Sequence, residues 1–264
     1  MASEESRRAT HLDVAVDAAR EAGALLRSRV ATDSDYDLKG GPHDLVTETD
    51  HLAEARIIER ITDAFPDHGI LAEEQAPHQL DARFRWVIDP IDGTTNFAHG
   101  IPFFSVSIAL EADGVPQIGV VYDPLRDELF TAEADRGAYV NGRPMRASTV
   151  AELTRAVLAT GFPHTPELRA ANMRNFERFV PIAQGMRRLG SAALALAYVA
   201  VGRLDGYWDL DLNRWDLAAG ILLVGEAGGR VTDGRGRSLR YADGDVTASN
   251  GRLHDQLVTH LQGG

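Results

Sequence analysis

The sequence predicts an α+β or layered α/β protein, and three patterns indicate this class. Apolar residues recur at helical spacing before residue 66, and the stretch Val106–Val140 alternates as antiparallel strands do. The second half then alternates strand-like and helix-like segments. Because both kinds of pattern occur in one chain, we expect mixed sheets with helices packed against them.

Two amphipathic helices come first. The apolar residues of Leu12–Val30 keep a helical spacing, and Thr10 with Asp13 fits a capping box at the start. A second run with the same spacing covers Leu52–Phe65, and the proline that follows predicts its end. Each helix therefore has one apolar face to bury.

Strands are predicted after these helices, at Gly69–Ala72 and Arg85–Ile88. The pattern is β throughout Val106–Val140, and Asp113-Gly114 and Asn141-Gly142 are dipeptides typical of hairpin turns. This part of the chain therefore predicts consecutive hairpins.

The second half carries the remaining predicted elements. Its strands are expected at residues 156–161, 203–210, 230–233 and 246–249, and its helices at Pro166–Val180, Ser191–Val201, 215–229 and Leu253–Leu261. The pattern breaks near Ser148–Thr154, without a Pro- or Ser-rich linker. We therefore expect one domain over 1–264, with subdomains at about 1–147 and 148–264.

Composition excludes several kinds of function. The chain has no cysteine, so disulfides, thiolate metal sites and a cysteine nucleophile are excluded. Its net charge of -12 argues against binding nucleic acid through a basic face. We interpret the arginine bias as a matter of composition and the nine histidines as mostly surface residues.

No segment suggests a membrane or secretion. The N-terminus has no apolar core, and the apolar run Ala192–Val201 is about half as long as a membrane span requires. We expect a cytoplasmic protein with no membrane partner.

One stretch, "WVIDPIDGTTNFAHG", is unusual for the end of a strand. The apolar Val87-Ile88 leads directly into Asp89, and Asp92 follows three residues later. A turn uses the proline and the glycine, but it has no need of two acids. The spacing allows both carboxylates to lie on one side, with the carbonyl of Ile91 between them.

Further carboxylates occur where other elements begin or end. They are Asp50, Glu73, Glu74 and Asp216. Taken singly, Asp50 and Asp216 also fit helix caps, and Glu73-Glu74 also fits a solvated loop pair. Clustered in space, these acids would repel one another unless a hard cation lay between them. With no cysteine present, Mg²⁺ or Mn²⁺ is the metal that such oxygen ligands favour.

The residues after Asp92 suit a phosphate group. Gly93 permits close approach of the backbone, and the N–H groups of Gly93, Thr94 and Thr95 fall at a predicted helix start. The stretch therefore predicts cations and an anion side by side, as a metal-assisted hydrolase of phosphate monoesters needs.

The chain resembles the inositol monophosphatase family of Mg²⁺-dependent, lithium-sensitive phosphatases. "WVIDPIDGTTNFAHGIPFFSVSIAL" is similar to the central motif of that family, and "WDLAAGILLVGEAGGRVTD" is similar to its C-terminal motif. "DLVTETD" and "AEEQ" match in the right order. The resemblance implies an αβαβα sandwich of the sugar-phosphatase type, usually assembled as a homodimer.

The resemblance also implies roles for individual residues. The implied metal ligands, for two or three Mg²⁺ ions, are Glu73, Asp89, Ile91 through its carbonyl, Asp92 and Asp216. Asp50 and Thr94 match the pair that orients and deprotonates the attacking water. The implied substrate-binding residues are Gly93, Thr94, Thr95, Gly190, Ser191, Ala192 and Asp209, and Lys39 matches a basic residue of a mobile loop near the metals.

Asp209 departs from the family pattern, because the inositol enzymes usually carry glutamate there to bind sugar hydroxyls. This departure bears on which alcohol the substrate carries, and it does not bear on the hydrolysis of the phosphate ester. The resemblance implies hydrolysis of inositol 1-phosphate or a related phosphorylated polyol or sugar. The alternatives are histidinol-phosphate, fructose-1,6-bisphosphate and 3′-phosphoadenosine phosphate phosphatases, and a non-catalytic role bound to the transcription machinery.

Overall fold

The computed structural model describes residues 4–30, 36–39, 45–239 and 244–263. Its helices are α1 (Glu4–Arg29), α2 (Glu48–Ala64), α3 (Thr94–Ala98), α4 (Pro166–Phe179), α5 (Ala192–Ala200), α6 (Arg214–Glu226) and α7 (His254–Leu261), with a 3₁₀ turn at Leu153–Arg155. None of them is long and apolar enough, in the described part of the chain, to cross a bilayer.

The strands form two large sheets. The first has seven strands in the order β3 (Gly69–Ala72), β4 (Phe84–Asp92), β5 (Ser105–Ala112), β6 (Val115–Asp123), β7 (Glu128–Glu133), β8 (Gly137–Val140) and β9 (Arg143–Pro144). The second has five, in the order β11 (Gly185–Arg187), β10 (Val157–Thr160), β12 (Gly206–Asp209), β14 (Val246–Ser249) and β13 (Arg230–Thr232). A short pair, β1 (Asp37–Leu38) and β2 (Leu45–Val46), completes the set.

The layers alternate as α, β, α, β, α. Helices α1 and α2 cover one face of the seven-stranded sheet and bury Ile57 and Ile61 against it. Helices α5 and α6 fill the space between the two sheets, and α4 and α7 cover the far face of the five-stranded sheet through Phe179 and Leu257. The expected layered α+β class is confirmed. A helix with sheets on both sides must be apolar all round, which explains the run Ala192–Val201.

Small residues let the middle layer pack closely. A Cβ on Gly220 of α6 would lie 2.6 Å from the Cβ of Leu196 on α5. A Cβ on Gly119 of β6 would lie 2.8 Å from the carbonyl oxygen of Ala219. Both distances are below ordinary contact, so these glycines set how closely α6 approaches its neighbours.

Most predicted elements are present, but two details of the prediction are wrong. Helix α1 begins at Glu4, so Thr10 and Asp13 lie inside it and form no capping box. Strand β4 continues through Asp92, with a register shift between Asp89 and Asp92, where a turn was expected. The hairpin turns are confirmed, since Asp113, Gly114, Asn141 and Gly142 all have positive φ.

The two sheets separate along the chain. Every strand of the first sheet ends before residue 147, and every strand of the second begins after residue 154. Helix α6 nevertheless packs against strands of both sheets. The division into subdomains at 1–147 and 148–264 stays a prediction.

A buried histidine outside the cleft predicts a pH-dependent stability. His254 is fully buried between the hydroxyls of Thr232 and Ser249, at 2.8 and 2.9 Å. Burial and then the charge of Arg230 lower its pKa from 6.5 to about 4. Below the unfolded pKa near 6.5 the unfolded state binds a proton that the folded state does not, so the free energy of unfolding falls as the pH drops from 6.5 to about 4.

We therefore expect the free energy of unfolding to fall by roughly 2–3 kcal/mol more in the wild type than in His254→Gln between pH 7 and pH 4. Urea titrations at matched pH measure the difference between the two proteins. Other titrating groups are common to both and cancel. Parallel pH profiles for the two proteins would contradict the assignment.

Candidate active site

A cleft of about 570 Å³ collects most of the predicted site residues. All the predicted metal ligands and all the predicted substrate-binding residues line it. Asp50 and Lys39 do not line it, but they contact Thr94 and Glu73, which do. Several parts of the fold build the cleft. The first half of the chain supplies the end of β4 with α3 and the residue after β3. The second half supplies the starts of α5 and α6, the end of β12, part of α4 and the loops that leave β10 and β11.

A bulge at the end of β4 sets the geometry of the central motif. Asp89 pairs with Ser107 and Asp92 with Ser105, so two residues of β4 lie opposite one residue of β5. Asp89 Oδ1 accepts the N–H of Ile91 at 3.0 Å. The extra residue turns both acids toward the same cleft, which strict alternation along a strand would not allow for positions three apart.

Three carboxylates meet at the floor of the cleft. One oxygen each of Asp89, Asp92 and Asp216 lies within 4.8 Å of the others. Burial, followed by the charge of Glu73 and of the neighbouring acids, raises the pKa of Asp89 and of Asp216 well above the ordinary value. A divalent cation would remove this repulsion, and the all-oxygen donor set suits a hard metal.

Asp92 is held by the start of α5. Its carboxylate accepts the N–H groups of Ala192 and Ala193 at 3.0 and 2.8 Å, together with the hydroxyl of Ser191. Burial raises the pKa of Asp92, and these donors oppose the rise. The N-terminus of a helix thus stabilises one acid of the cluster.

Asp50 and Asp216 each combine capping with a place in the site. Asp50 is the third residue of α2, and its Oδ2 accepts the N–H and hydroxyl of Thr47, both at 2.7 Å. Asp216 closes the same kind of capping box on Asn213 at the start of α6. Both acids therefore take part in capping, but as the third residue of a capping box and not as the N-cap, which is Thr47 or Asn213. One oxygen of each carboxylate remains for other partners.

The second oxygen of Asp50 faces the central motif. Asp50 Oδ1 lies 3.1 Å from Thr94 Oγ1, which in turn lies 3.0 Å from the carbonyl oxygen of Ile91. Burial raises the pKa of Asp50 to about 6, and hydrogen bonds from Thr47 oppose the rise. The predicted pair of Asp50 and Thr94 is thus in direct contact.

Glu73 and Glu74 share one ammonium group. Lys39 Nζ lies 3.0 Å from Glu73 Oε1 and also contacts Glu74. Burial raises the pKa of Glu73 to about 7 against the opposing charge of Lys39. A solvated loop pair is the wrong description of Glu74, whose side chain is largely buried. Glu54 of α2, which sequence reasoning missed, accepts the N–H of Glu74 at 2.8 Å.

Two glycines shape the substrate end of the cleft. Gly93 precedes α3 with φ of 103°, and Gly190 precedes α5 with φ of 86°. A Cβ on Gly93 would lie 3.0 Å from the carbonyl oxygen of Gly190. Asn96 joins the two segments, because its Nδ2 donates to the carbonyls of Phe103 and Leu189 at 2.6 and 2.8 Å.

Asp209 lines the cleft, but its oxygens are already engaged. Oδ2 accepts the hydroxyl of Tyr207 at 2.8 Å, and Oδ1 accepts the N–H of Leu210 at 2.9 Å. A Cβ on Gly161 would lie only 1.9 Å from Oδ2. Burial raises the pKa of Asp209 to about 7. The shorter side chain thus packs into the wall of the cleft.

Basic and aromatic residues of the cleft were missed from the sequence. The missed residues are Tyr36, His99, His164, Arg169 and Arg188. The arginines were treated as composition and the histidines as mostly surface residues, although His11 and His254 are buried. Among these residues, only Arg188 could have been found from the sequence, because it lies two residues before Gly190, which the resemblance already implies as a substrate-binding residue.

Comparisons with known proteins agree with this geometry. The model of the inositol monophosphatase family matches residues 8–263. An inositol-1-monophosphatase of Synechocystis sp. is 46% identical over 256 residues, which cover 96% of this chain and 88% of that protein. The Nus factor SuhB of Escherichia coli K12 is 43% identical, with 95% of each chain covered.

Solved structures show the same similarity. The crystal structure of the extragenic suppressor protein suhB from Bartonella henselae matches with a TM-score of 0.93 and 42% identity, and the match covers 97% of this chain and 99% of that one. Sequence and fold are therefore both similar to those of the same group of proteins.

Proposed function

This chain belongs to the inositol monophosphatase family, and from that membership we propose that it is a Mg²⁺-dependent hydrolase of inositol 1-phosphate and related polyol phosphates. The observation that carries the proposal is the group of two buried acids, Asp89 and Asp92, and the partly buried Asp216, whose oxygens lie within 4.8 Å of one another. Buried carboxylates at such distances are stable only when cations or protons compensate them.

Two or three Mg²⁺ ions are proposed for the site, with Mn²⁺ as the alternative. Glu73, Asp89 and the carbonyl of Ile91 would hold one ion, and Asp89, Asp92 and Asp216 would hold another. A weaker third ion would use Glu73. When bound, the metal lowers the pKa of water and offsets the negative charge of the phosphate.

The proposed chemistry needs a base beside the attacking water. Thr94 and Asp50 supply it, because the Thr94 hydroxyl lies 3.1 Å from Asp50 Oδ1 and can pass on a proton. With a pKa of about 6, Asp50 is mostly ionised near pH 7 and still basic enough to accept that proton. No side chain becomes phosphorylated.

The segment Gly93–Thr95 is proposed to bind the phosphate oxygens through backbone N–H groups. Its support is the left-handed Gly93 at the start of α3, directly beside the acid cluster. Gly190, Ser191 and Ala192 are proposed to line the alcohol side, since they face the same cleft. Catalysis would then consist mainly of positioning and charge stabilisation.

Homodimer formation and a cytoplasmic location are further proposals, and the family resemblance is their support. Analytical ultracentrifugation of the purified chain tests the first, and fractionation of the source cells tests the second.

The test of the activity is release of inorganic phosphate from a panel of esters at fixed free Mg²⁺. We expect inositol 1-phosphate to be hydrolysed, with activity lost in chelator and restored by Mg²⁺. The panel also contains histidinol phosphate, fructose 1,6-bisphosphate and 3′-phosphoadenosine phosphate, which separate the alternative phosphatases. A purified, folded chain that released no phosphate from any of them would overturn the proposal.

A second candidate function is binding to the transcription machinery. It is favoured by the relatives named Nus factor SuhB, such as the one from Escherichia coli. The net charge of -12 argues against direct contact with RNA, so a protein partner is the form proposed. Recovery of polymerase subunits in a pull-down, with catalytically inactive variants still functional in cells, would rank this role first.

A further inference from the structure

One side of the cleft is basic, although the chain as a whole is strongly acidic. Arg188 directly follows β11, and Arg169 lies on α4, so both belong to the five-stranded sheet and its outer helices. The acids at the floor come from β4 and α6. The cleft therefore has an acidic floor for cations, and the five-stranded sheet adds a side that carries Asp209 and these two arginines, which have no role in the proposed hydrolysis.

Arg188 is held over the alcohol side of the cleft. A Cβ on Gly190 would lie 2.9 Å from Arg188 Nη1, so the guanidinium lies directly against the backbone of that glycine. Gly190 begins the segment proposed to line the alcohol pocket. Any larger residue at position 190 would displace the guanidinium.

The charge of Arg188 is not neutralised within the described residues. No described carboxylate lies within 4.0 Å of its guanidinium, whereas Arg85 and Arg214 both pair with Glu111. Arg169 donates two hydrogen bonds to the carbonyl oxygens of Pro163 and His164. Carbonyl groups are uncharged, so they do not neutralise the positive charge of its guanidinium. Two arginines that line a cleft and have no ion-pair partner among the described residues are an arrangement that suits an anionic ligand.

Asp209 also lines the cleft, and the charge of Arg188 acts on its carboxylate. Its two oxygens already accept the hydroxyl of Tyr207 and the N–H of Leu210, and neither lies within 4.0 Å of the Arg188 guanidinium.

We propose that Arg188, with Arg169 on the same side of the cleft, forms a second anion-binding subsite, so that the preferred substrates are phosphate esters whose alcohol carries another anionic group. This inference rests on the proposed phosphatase function and specifies its substrate class. The bond that breaks is the P–O bond beside the acids. Water supplies the oxygen to the phosphate and a proton to the alcohol, and the remote anion stays unchanged.

The test compares glucose 1-phosphate with glucose 1,6-bisphosphate, which differ only in the remote phosphate. At fixed free Mg²⁺ we expect kcat/KM for the bisphosphate to be at least about tenfold higher, mainly through KM. Arg188→Gln should remove this preference and change kcat/KM for glucose 1-phosphate by less than about threefold. Arg187→Gln is the matched control, because Arg187 is exposed and does not line the cleft.

Equal kcat/KM for the two esters in the wild type, or an equal loss on both in Arg188→Gln, would overturn the inference. Both compounds are also measured as competitive inhibitors, so that equal inhibition constants overturn it even if neither is turned over. Inositol 1-phosphate is run alongside. Its failure to react counts against the proposed function, and the preference between the glucose esters still decides the subsite.

Discussion

Asp92→Asn should lower kcat for phosphate-ester hydrolysis by about 10³-fold at saturating Mg²⁺. The substitution removes one negative charge from the proposed metal site. It also turns an NH₂ group toward N–H donors, because both carboxylate oxygens accept from the start of α5, at 3.0 and 2.8 Å. The substitution therefore removes both the negative charge of this metal ligand and the hydrogen bonds that orient its side chain. Phosphate release at several Mg²⁺ concentrations measures the effect.

The control is Asp123→Asn. Asp123 is as buried as Asp92 and likewise accepts two backbone N–H groups, from Leu125 and Arg126, but it does not line the cleft. We expect Asp123→Asn to lose stability and keep kcat within about twofold. A folded Asp92→Asn variant with wild-type turnover would show that Asp92 is no ligand.

Mg²⁺ should raise the melting temperature of the wild type by on the order of 5–10 °C when it is present at about 100 times its dissociation constant. The reason is the acid cluster, where burial and mutual repulsion raise the pKa of Asp89 and of Asp216. Asp216→Asn removes one of the repelling charges, and its amide oxygen can still accept the N–H of Asn213. In chelator, this variant should melt at or above the wild-type temperature, and Mg²⁺ should raise that temperature less than half as far.

Asp233→Asn is the control, for which we expect the opposite change of melting temperature in chelator. Asp233 is buried away from the cleft, and N–H groups of Arg235 and Arg237 help to lower its pKa. We expect this variant to lose stability in chelator and to keep the full response to Mg²⁺. Calorimetric scans of the three proteins with and without Mg²⁺ measure all of these shifts. A lower melting temperature of Asp216→Asn in chelator, with an unchanged Mg²⁺ response, would contradict the electrostatic account.

The elements were largely predictable because their signals are local. The spacing of Leu52–Phe65, the alternation in Val106–Val140 and the Asp-Gly and Asn-Gly turns each reflect one element and its immediate surroundings. Strands β1, β9 and β11 are too short to leave such a signal. The start of α1 was placed late, because a plausible capping box at Thr10 lies inside a longer helix.

The acids of the candidate site were also predictable, since carboxylates at the ends of apolar elements are conspicuous in the sequence. The residues that hold them were harder to find. Glu54 resembles any acid on a helix, and only its contact with the N–H of Glu74 distinguishes it. Arg188 resembles any surface arginine until its guanidinium is seen against Gly190.

The sequence by itself determined the class of fold, the order of most elements and the motif of Asp89, Asp92, Gly93 and Thr94, because these depend on periodicity and on neighbours along the chain. Only the tertiary structure decided that Asp216 lies beside Asp89 and Asp92, that Asp209 is engaged by the wall, and that Arg188 faces the cleft. The physical reason is that Asp216 lies more than a hundred positions along the chain from Asp89 and Asp92, and that the walls of the cleft come from separate elements. Their distances depend on how two sheets and the helices between them pack, and no local pattern records that packing.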